Sequence, residues 1–298
     1  MIHTLGFQID CLHLCLISHH SFFPLFSKYI YNLVSDSGSI TYSTTSVLQS
    51  FASDGVVYLE LRTTPRAIPS RNITKDDYVS LILRCIDSFS SSPSNTMNTK
   101  LILSIDRRNN PEEAMAVVDL AIKYKDQGVV GIDLCGDPAK GDVSIFHEAF
   151  TKAKANNIKI TLHFAEAPQS SAGPELQQLL DYLPDRIGHV IHVPGALKTI
   201  ITERKIGLEL CLSCNVHAKM ITGSFGDHHF GEWWEAGCPV ILCTDDVGVF
   251  GSELSNEYRL VAEHFGLGKE ELLRLARNGI EFIFGGEAEK SRLRGIMW

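Results

Sequence analysis

Residues 158–166 read Ile158-Lys-Ile-Thr-Leu-His-Phe-Ala-Glu166, a short β-prone run that ends on a histidine and then a glutamate. That arrangement recurs along the chain. Strand candidates lie at Val56–Leu61, Leu101–Ile105, Val129–Leu134, Ile158–Phe164, Arg186–His192, Gly207–Leu212 and Val240–Thr244. Most read as continuous apolar runs, as expected for parallel strands covered on both faces. Helix-length segments separate them. Thr74 before Lys75-Asp-Asp and Asn110 before Pro111-Glu-Glu each supply a capping residue with acids in the first turn, and Gly128 offers a left-handed exit. Leu254–Phe265 and Lys269–Phe284 form the last two helices, and Ser88–Ser94 reads as a surface loop.

Strand–helix alternation with right-handed crossovers is compatible with an open doubly wound sheet or a closed barrel. No G-x-G-x-x-G follows the first clear strand, and polar residues recur after nearly every strand rather than at one switch point. The expected architecture is therefore α/β, a TIM-type (β/α)8 barrel over residues 22–298, with an aberrant segment over residues 1–21. Seven strands are clear. An eighth has to come from the first twenty residues, within Phe7–Leu16.

Composition narrows the function. A chain of 298 residues with 44% apolar residues can bury one barrel core, and a net charge of -8 argues against a nucleic-acid partner. No apolar run reaches the ~20 residues of a membrane span, and the first twenty residues lack the basic start of a secretory signal. Eight cysteines without framework spacing suit a reducing compartment, the cytoplasm. The isolated Cys211-x-x-Cys214 pair reads as core packing.

The chemistry sits at strand ends. His163 can bind a metal and Glu166 can carry a proton beside it; the structural alternative is a core histidine and a helix-start glutamate. Arg186-Ile-Gly-His189 places a second imidazole after a glycine that admits close approach, with His192 a bystander. Cys243-Thr-Asp-Asp246 ends the last strand with two carboxylates that need a metal or donors, unless they cap a helix. Thr63, Thr64, Pro65 and Arg66 form a candidate phosphate grip, and Asp106 and Gly136 follow the next two strands. Arg62 and Arg107 are equally suited to ion pairs within the barrel. His228-His229, Trp233 and Trp234 read as capping and packing residues.

Together, L-H-F-A-E, R-I-G-H, C-T-D-D and E-L-R-T-T-P-R, each ending its own strand, resemble the adenosine/AMP deaminase family, in particular its adenosine-deaminase-like members that act on N6-methyl-AMP. The resemblance runs from about Phe22 to the C-terminus. It implies a zinc-dependent hydrolytic deaminase of a 6-amino or 6-alkylamino purine nucleotide, with His163 and Asp245 as zinc ligands. Glu166 would then donate a proton to purine N1, His189 would orient or deprotonate the attacking water, and Asp246 would hold N7. Gly136 would line the purine, with Thr63 to Arg66 and Asp106 on the nucleotide side. The family also carries H-x-H at the end of its first strand. Here Cys11-Leu-His13-Leu-Cys15 is only a faint echo, so weak zinc binding and a barrel open or mispaired at its first strand are expected. Two other readings remain at this stage: a zinc-deficient, inactive barrel, and a metal-independent barrel that binds a phosphoryl ligand through Thr63–Arg66.

Overall fold

The computed structural model describes residues 24–297. Seven parallel strands lie in one sheet in chain order: β1 (Tyr58–Thr63), β2 (Asn98–Asp106), β3 (Val129–Cys135), β4 (Lys159–Phe164), β5 (Arg186–His189), β6 (Gly207–Leu210) and β7 (Val240–Leu242). Helix α1 (Ser37–Ser53) precedes β1. Helices α2 (Lys75–Ser90), α3 (Pro111–Lys123), α4 (His147–Ala155), α5 (Gly173–Asp181) and α6 (Gly195–Arg204) fill the successive crossovers. Two short helices, α7 (Leu212–His217) and α8 (Phe230–Glu235), join β6 to β7, and α9 (Leu254–Phe265), α10 (Lys269–Glu281) and α11 (Glu287–Met297) close the chain.

The capping signals act as expected. Thr74 accepts from the Asp77 N–H and Asn110 from the Glu113 N–H, and in each case the acid side chain bonds back to the cap residue. Gly128 takes φ +109° at the turn into β3. No helix among the described residues is long and apolar enough to cross a membrane.

The sheet curls into a barrel wall, and side-chain chemistry reveals it. In a flat sheet of this order, β1 and β6 would lie five spacings apart, roughly 24 Å. Instead, Arg62 on β1 places Nη2 2.9 Å from Glu209 Oε2 on β6. Arg186 on β5 is ion-paired with Glu209, Nε lying 2.7 Å from Oε1, and with Glu60 on β1, Nη2 lying 2.6 Å from Oε2. The interior is therefore not apolar, which corrects the expectation of continuous apolar strands. Outward residues such as Leu61, Leu103, Ile132, Leu162, Ile187 and Leu208 form the core against the helices, whereas Arg62, Asp133, Arg186 and Glu209 are buried inside. The alternation visible in Thr161-Leu-His-Phe is this inside–outside pattern.

The segment after α10 plugs the bottom of the barrel. The Phe284 ring lies 3.6 Å from the Arg186 guanidinium carbon, and Arg186 Nη1 donates to the Phe282 carbonyl. Residue 131 must be glycine, because a Cβ there would sit 2.8 Å from that ring.

Among the described residues β1 and β7 remain edges. A cavity of about 380 Å³ separates them, lined by Val57 and Leu59 on one side and Ile241 and Cys243 on the other. The expected eighth strand, Phe7–Leu16, and the Cys11–Cys15 echo lie outside the described residues.

The ion network has a measurable consequence. Burial works to raise the Glu209 pKa, but the Arg62 and Arg186 guanidiniums override it and hold the carboxyl well below its usual range. A depressed folded-state pKa means that this contribution is complete at neutral pH and is lost as pH falls through the carboxylate range. Arg186→Met strands Glu60 and Glu209 with one fewer cation. It is expected to cost about 3–5 kcal/mol in urea denaturation at pH 7, and less below pH ~4. A loss under about 1 kcal/mol at pH 7 would show that the network does not hold the curl.

Candidate active site

The C-terminal ends of β4, β5 and β7 converge. Register pairs Phe164 with His189 and His163 with Gly188, so the two imidazoles are neighbours, their ring centroids 5.4 Å apart. Four residues at this rim have left-handed backbone without being glycine: Ala165 (φ +49°), His189 (φ +63°), Val190 (φ +48°) and Asp245 (φ +53°). Each such residue costs of order 1–3 kcal/mol and persists where surrounding structure dictates it, commonly at functional sites. Here the turns swing Glu166, His189 and Asp245 toward one another.

Each group is held from behind. His163 Nδ1 lies 3.1 Å from Asp133 Oδ1, and Asp133 also accepts from Ser104 Oγ at 3.0 Å and stands 3.5 Å from Arg62. Burial pulls the His163 pKa down, yet the Asp133 carboxylate outweighs it and the net shift is upward. Asp245 Oδ2 accepts from the Cys214 thiol at 2.8 Å. The Cys211–Cys214 pair is therefore more than packing: both thiols are buried, and one orients a rim carboxylate.

The carboxyls themselves are under strain. Burial pushes Glu166 up to about 7, against the pull of His163, and Asp245 adds to the rise. Its Oε1 stands 3.5 Å from His189 Nε2. Burial, reinforced by the adjacent Asp245, raises Asp246 well above the carboxylate range. Asp245 Oδ1 and Asp246 Oδ2 have no hydrogen-bond partner among the described residues, an expensive condition for buried oxygen atoms.

A cavity of about 400 Å³ opens on this rim. His163, Glu166, Asp245 and Asp246 line it, with Thr64, Asp106 and Gly136 on the side of β1–β3. Gly136 has φ +100°, and a Cβ there would lie 2.8 Å from Asp106 Oδ1, so only glycine fits. Thr63, Pro65, Arg66 and the buried His189 do not line this cavity, although Thr63 and Arg66 line a smaller one that shares Thr64 and Asp246 with it. The Thr63 hydroxyl pairs with Tyr78 at 3.0 Å, and Arg66 Nη2 donates to the Val34 carbonyl at 2.8 Å while its guanidinium stacks on Tyr31. The cations on the cavity are instead Lys28, Arg108 and Lys140, which the sequence reading missed. Arg108 makes a two-pronged pair with Asp106. Arg107 is ion-paired to Glu175, as the alternative reading of it allowed.

The donor set fits a divalent metal in part. His163 is fixed through Nδ1 and Asp245 offers an unpartnered oxygen, but these are two ligands where catalytic zinc takes three. His189, Cys211 and Asp245 also bring three ligand atoms within 4.8 Å of one another. That second set must first give up existing interactions, since His189 Nδ1 already faces Asn215 and burial pushes the Cys211 thiol up to about 11.

Comparison with known proteins follows the same lines. The sequence profile of the adenosine deaminase family matches residues 16–297. An N6-mAMP deaminase of Arabidopsis thaliana is 39% identical over 294 residues, 92% of this chain and 81% of that protein. The N6-Methyl-AMP deaminase of Homo sapiens is 38% identical over 274 residues, 89% of this chain and 76% of that protein. The crystal structure of arabidopsis ADAL complexed with IMP superposes with a TM-score of 0.90 at 38% identity, covering 96% of this chain and 85% of that one.

The crowded carboxyls generate a prediction. Asp246→Asn removes one of two adjacent buried acids and should stabilise the metal-free protein by about 0.5–2 kcal/mol, read as a raised Tm. An unchanged or lowered Tm would mean that Asp246 is satisfied as it stands.

Proposed function

The chain belongs to the adenosine deaminase family, and from that premise we propose that it hydrolyses N6-methyl-AMP to IMP and methylamine. The observation that carries this reading is Glu166. A buried carboxyl with a pKa of about 7 holds a proton at neutral pH and can give it to a ring nitrogen. The names of the relatives and the IMP complex of one of them support the substrate class.

In this reading the purine edge lies against Gly136, where the absence of a side chain admits a planar base. Glu166 protonates N1, which draws electron density from C6. Asp246, with its pKa raised, keeps its proton and donates to N7, an acceptor. His163 and Asp245 would hold zinc, which when bound lowers the pKa of water and so supplies a nucleophile at neutral pH. His189 positions that water. The water oxygen adds at C6, one of its protons restoring Glu166, which gave its own to N1, and the other passing to N6; the C6–N6 bond then breaks and methylamine departs with that proton, leaving a C6 carbonyl. Thr64 and Asp106 face the ribose, and Lys28, Arg108 and Lys140 meet the 5'-phosphate as a cluster of cations. Thr63, Pro65 and Arg66 support the wall behind this grip. The free, buried thiols suit a cytoplasmic setting.

The test is IMP formation from N6-methyl-AMP by zinc-supplemented protein. Glu166→Gln is expected to lower kcat by about 10²- to 10⁴-fold with zinc content unchanged. In the wild type, kcat/KM should fall as pH rises through about 7, because the proton on Glu166 is lost there. Full activity in Glu166→Gln would exclude Glu166 as the proton donor.

A further inference from the structure

Behind His189 runs a chain of buried polar groups that reaches no solvent. Asn215 on α7 is fully buried, as is His189, and His228 just ahead of α8 is 3% exposed. Asn215 Nδ2 lies 3.0 Å from His189 Nδ1, and Asn215 Oδ1 lies 3.0 Å from His228 Nε2. The Phe230 backbone N–H, 3.0 Å from His228 Nδ1, completes it.

The direction of every bond in this chain follows from its end. A backbone N–H can only donate, so His228 Nδ1 is an acceptor and carries no proton. Burial, with His229 adding to it, lowers the His228 pKa well below its usual value, so the ring is neutral with its proton on Nε2. Nε2–H then donates to Asn215 Oδ1, which fixes the amide orientation. A second anchor agrees: Asn215 Nδ2 points at the Met220 thioether at 3.5 Å and the Cys211 sulfur at 3.6 Å, sites where an amide N–H finds an acceptor. Asn215 must therefore donate to His189 Nδ1. The Cys211 sulfur also stands 3.6 Å from that nitrogen, and its thiol keeps its proton.

We infer that Asn215 and His228 are positioning residues that lock His189 as the neutral Nε2–H tautomer, making it a hydrogen-bond donor toward Glu166 rather than a base at Nε2. Its Nε2–H faces the Glu166 carboxyl, 3.5 Å away. This refines the proposed water-positioning role: His189 holds the reacting groups by donation, and proton acceptance falls to another group.

The tautomer is readable without turnover, by long-range proton–nitrogen NMR of the 15N-labelled full chain at pH 7, with His189→Gln to assign the ring. The expected spectrum shows Nδ1 as the bare nitrogen and Nε2 as the protonated one. Asn215→Asp replaces the donor by an acceptor, and should move the proton to Nδ1. In the zinc-supplemented assay the same variant should lower kcat by about 10²- to 10⁴-fold with KM changed less than about 3-fold. A protonated Nδ1 in the wild type overturns the inference, and so does an Asn215→Asp protein that keeps full kcat. Only the kinetic arm rests on the deaminase reading. Loss of all turnover in the wild type would count against that reading and leave the NMR result standing.

Discussion

A charge buried inside a curled sheet must be matched, and that constraint organises this molecule. Arg62, Asp133, Arg186, Glu209 and Glu60 meet it by pairing across the interior, linking β1 to β3, β5 and β6. The pairing spans the curled sheet. It also includes Asp133, which bonds His163, so the network across the interior is the one that orients the first residue of the site. Just above it the rule is broken. Asp245 and Asp246 stand side by side with oxygen atoms that have no partner among the described residues, and burial raises Glu166 to about 7. Strained carboxyls above an ion-paired layer mark a candidate functional site, since perturbed groups of this kind cluster where chemistry is done.

Much of this was legible in the sequence, because strand ends announce themselves. Apolar runs that stop on His163, His189 or Asp245 place those residues on one rim for any barrel of parallel strands. The interior was not legible in the same way. Asp133 and His163 are 30 residues apart, Arg62 and Glu209 are 147, and neither pairing has a local signature. The alternation in Ile132-Asp-Leu and Leu208-Glu-Leu was present, but reading those runs as apolar hid it. The residues of the expected phosphate grip are divided by the fold. Thr64 reaches the cavity, while Arg66, two residues on, is taken by the carbonyls of the segment before α1. Asn215 and His228 escaped because their role lies in the direction of their hydrogen bonds, which only assembled neighbours define.

The slot between β1 and β7 is where fold and function meet. Among the described residues both strands present unpaired edges there, and Arg62 and Glu209 of the barrel interior line the cavity. A strand in that slot would share the interior with the ion network and end at the same rim as His163 and Asp245. The family match begins at residue 16, ahead of the described residues.

The account stands on hydrolysis at a purine C6, and isotope transfer tests that most directly. Zinc-loaded full chain is incubated with N6-methyl-AMP in 18O-labelled water, and both products are measured by mass spectrometry. The account predicts IMP carrying one 18O and one methylamine released for each IMP formed. Absence of methylamine, or IMP without the label, would contradict it.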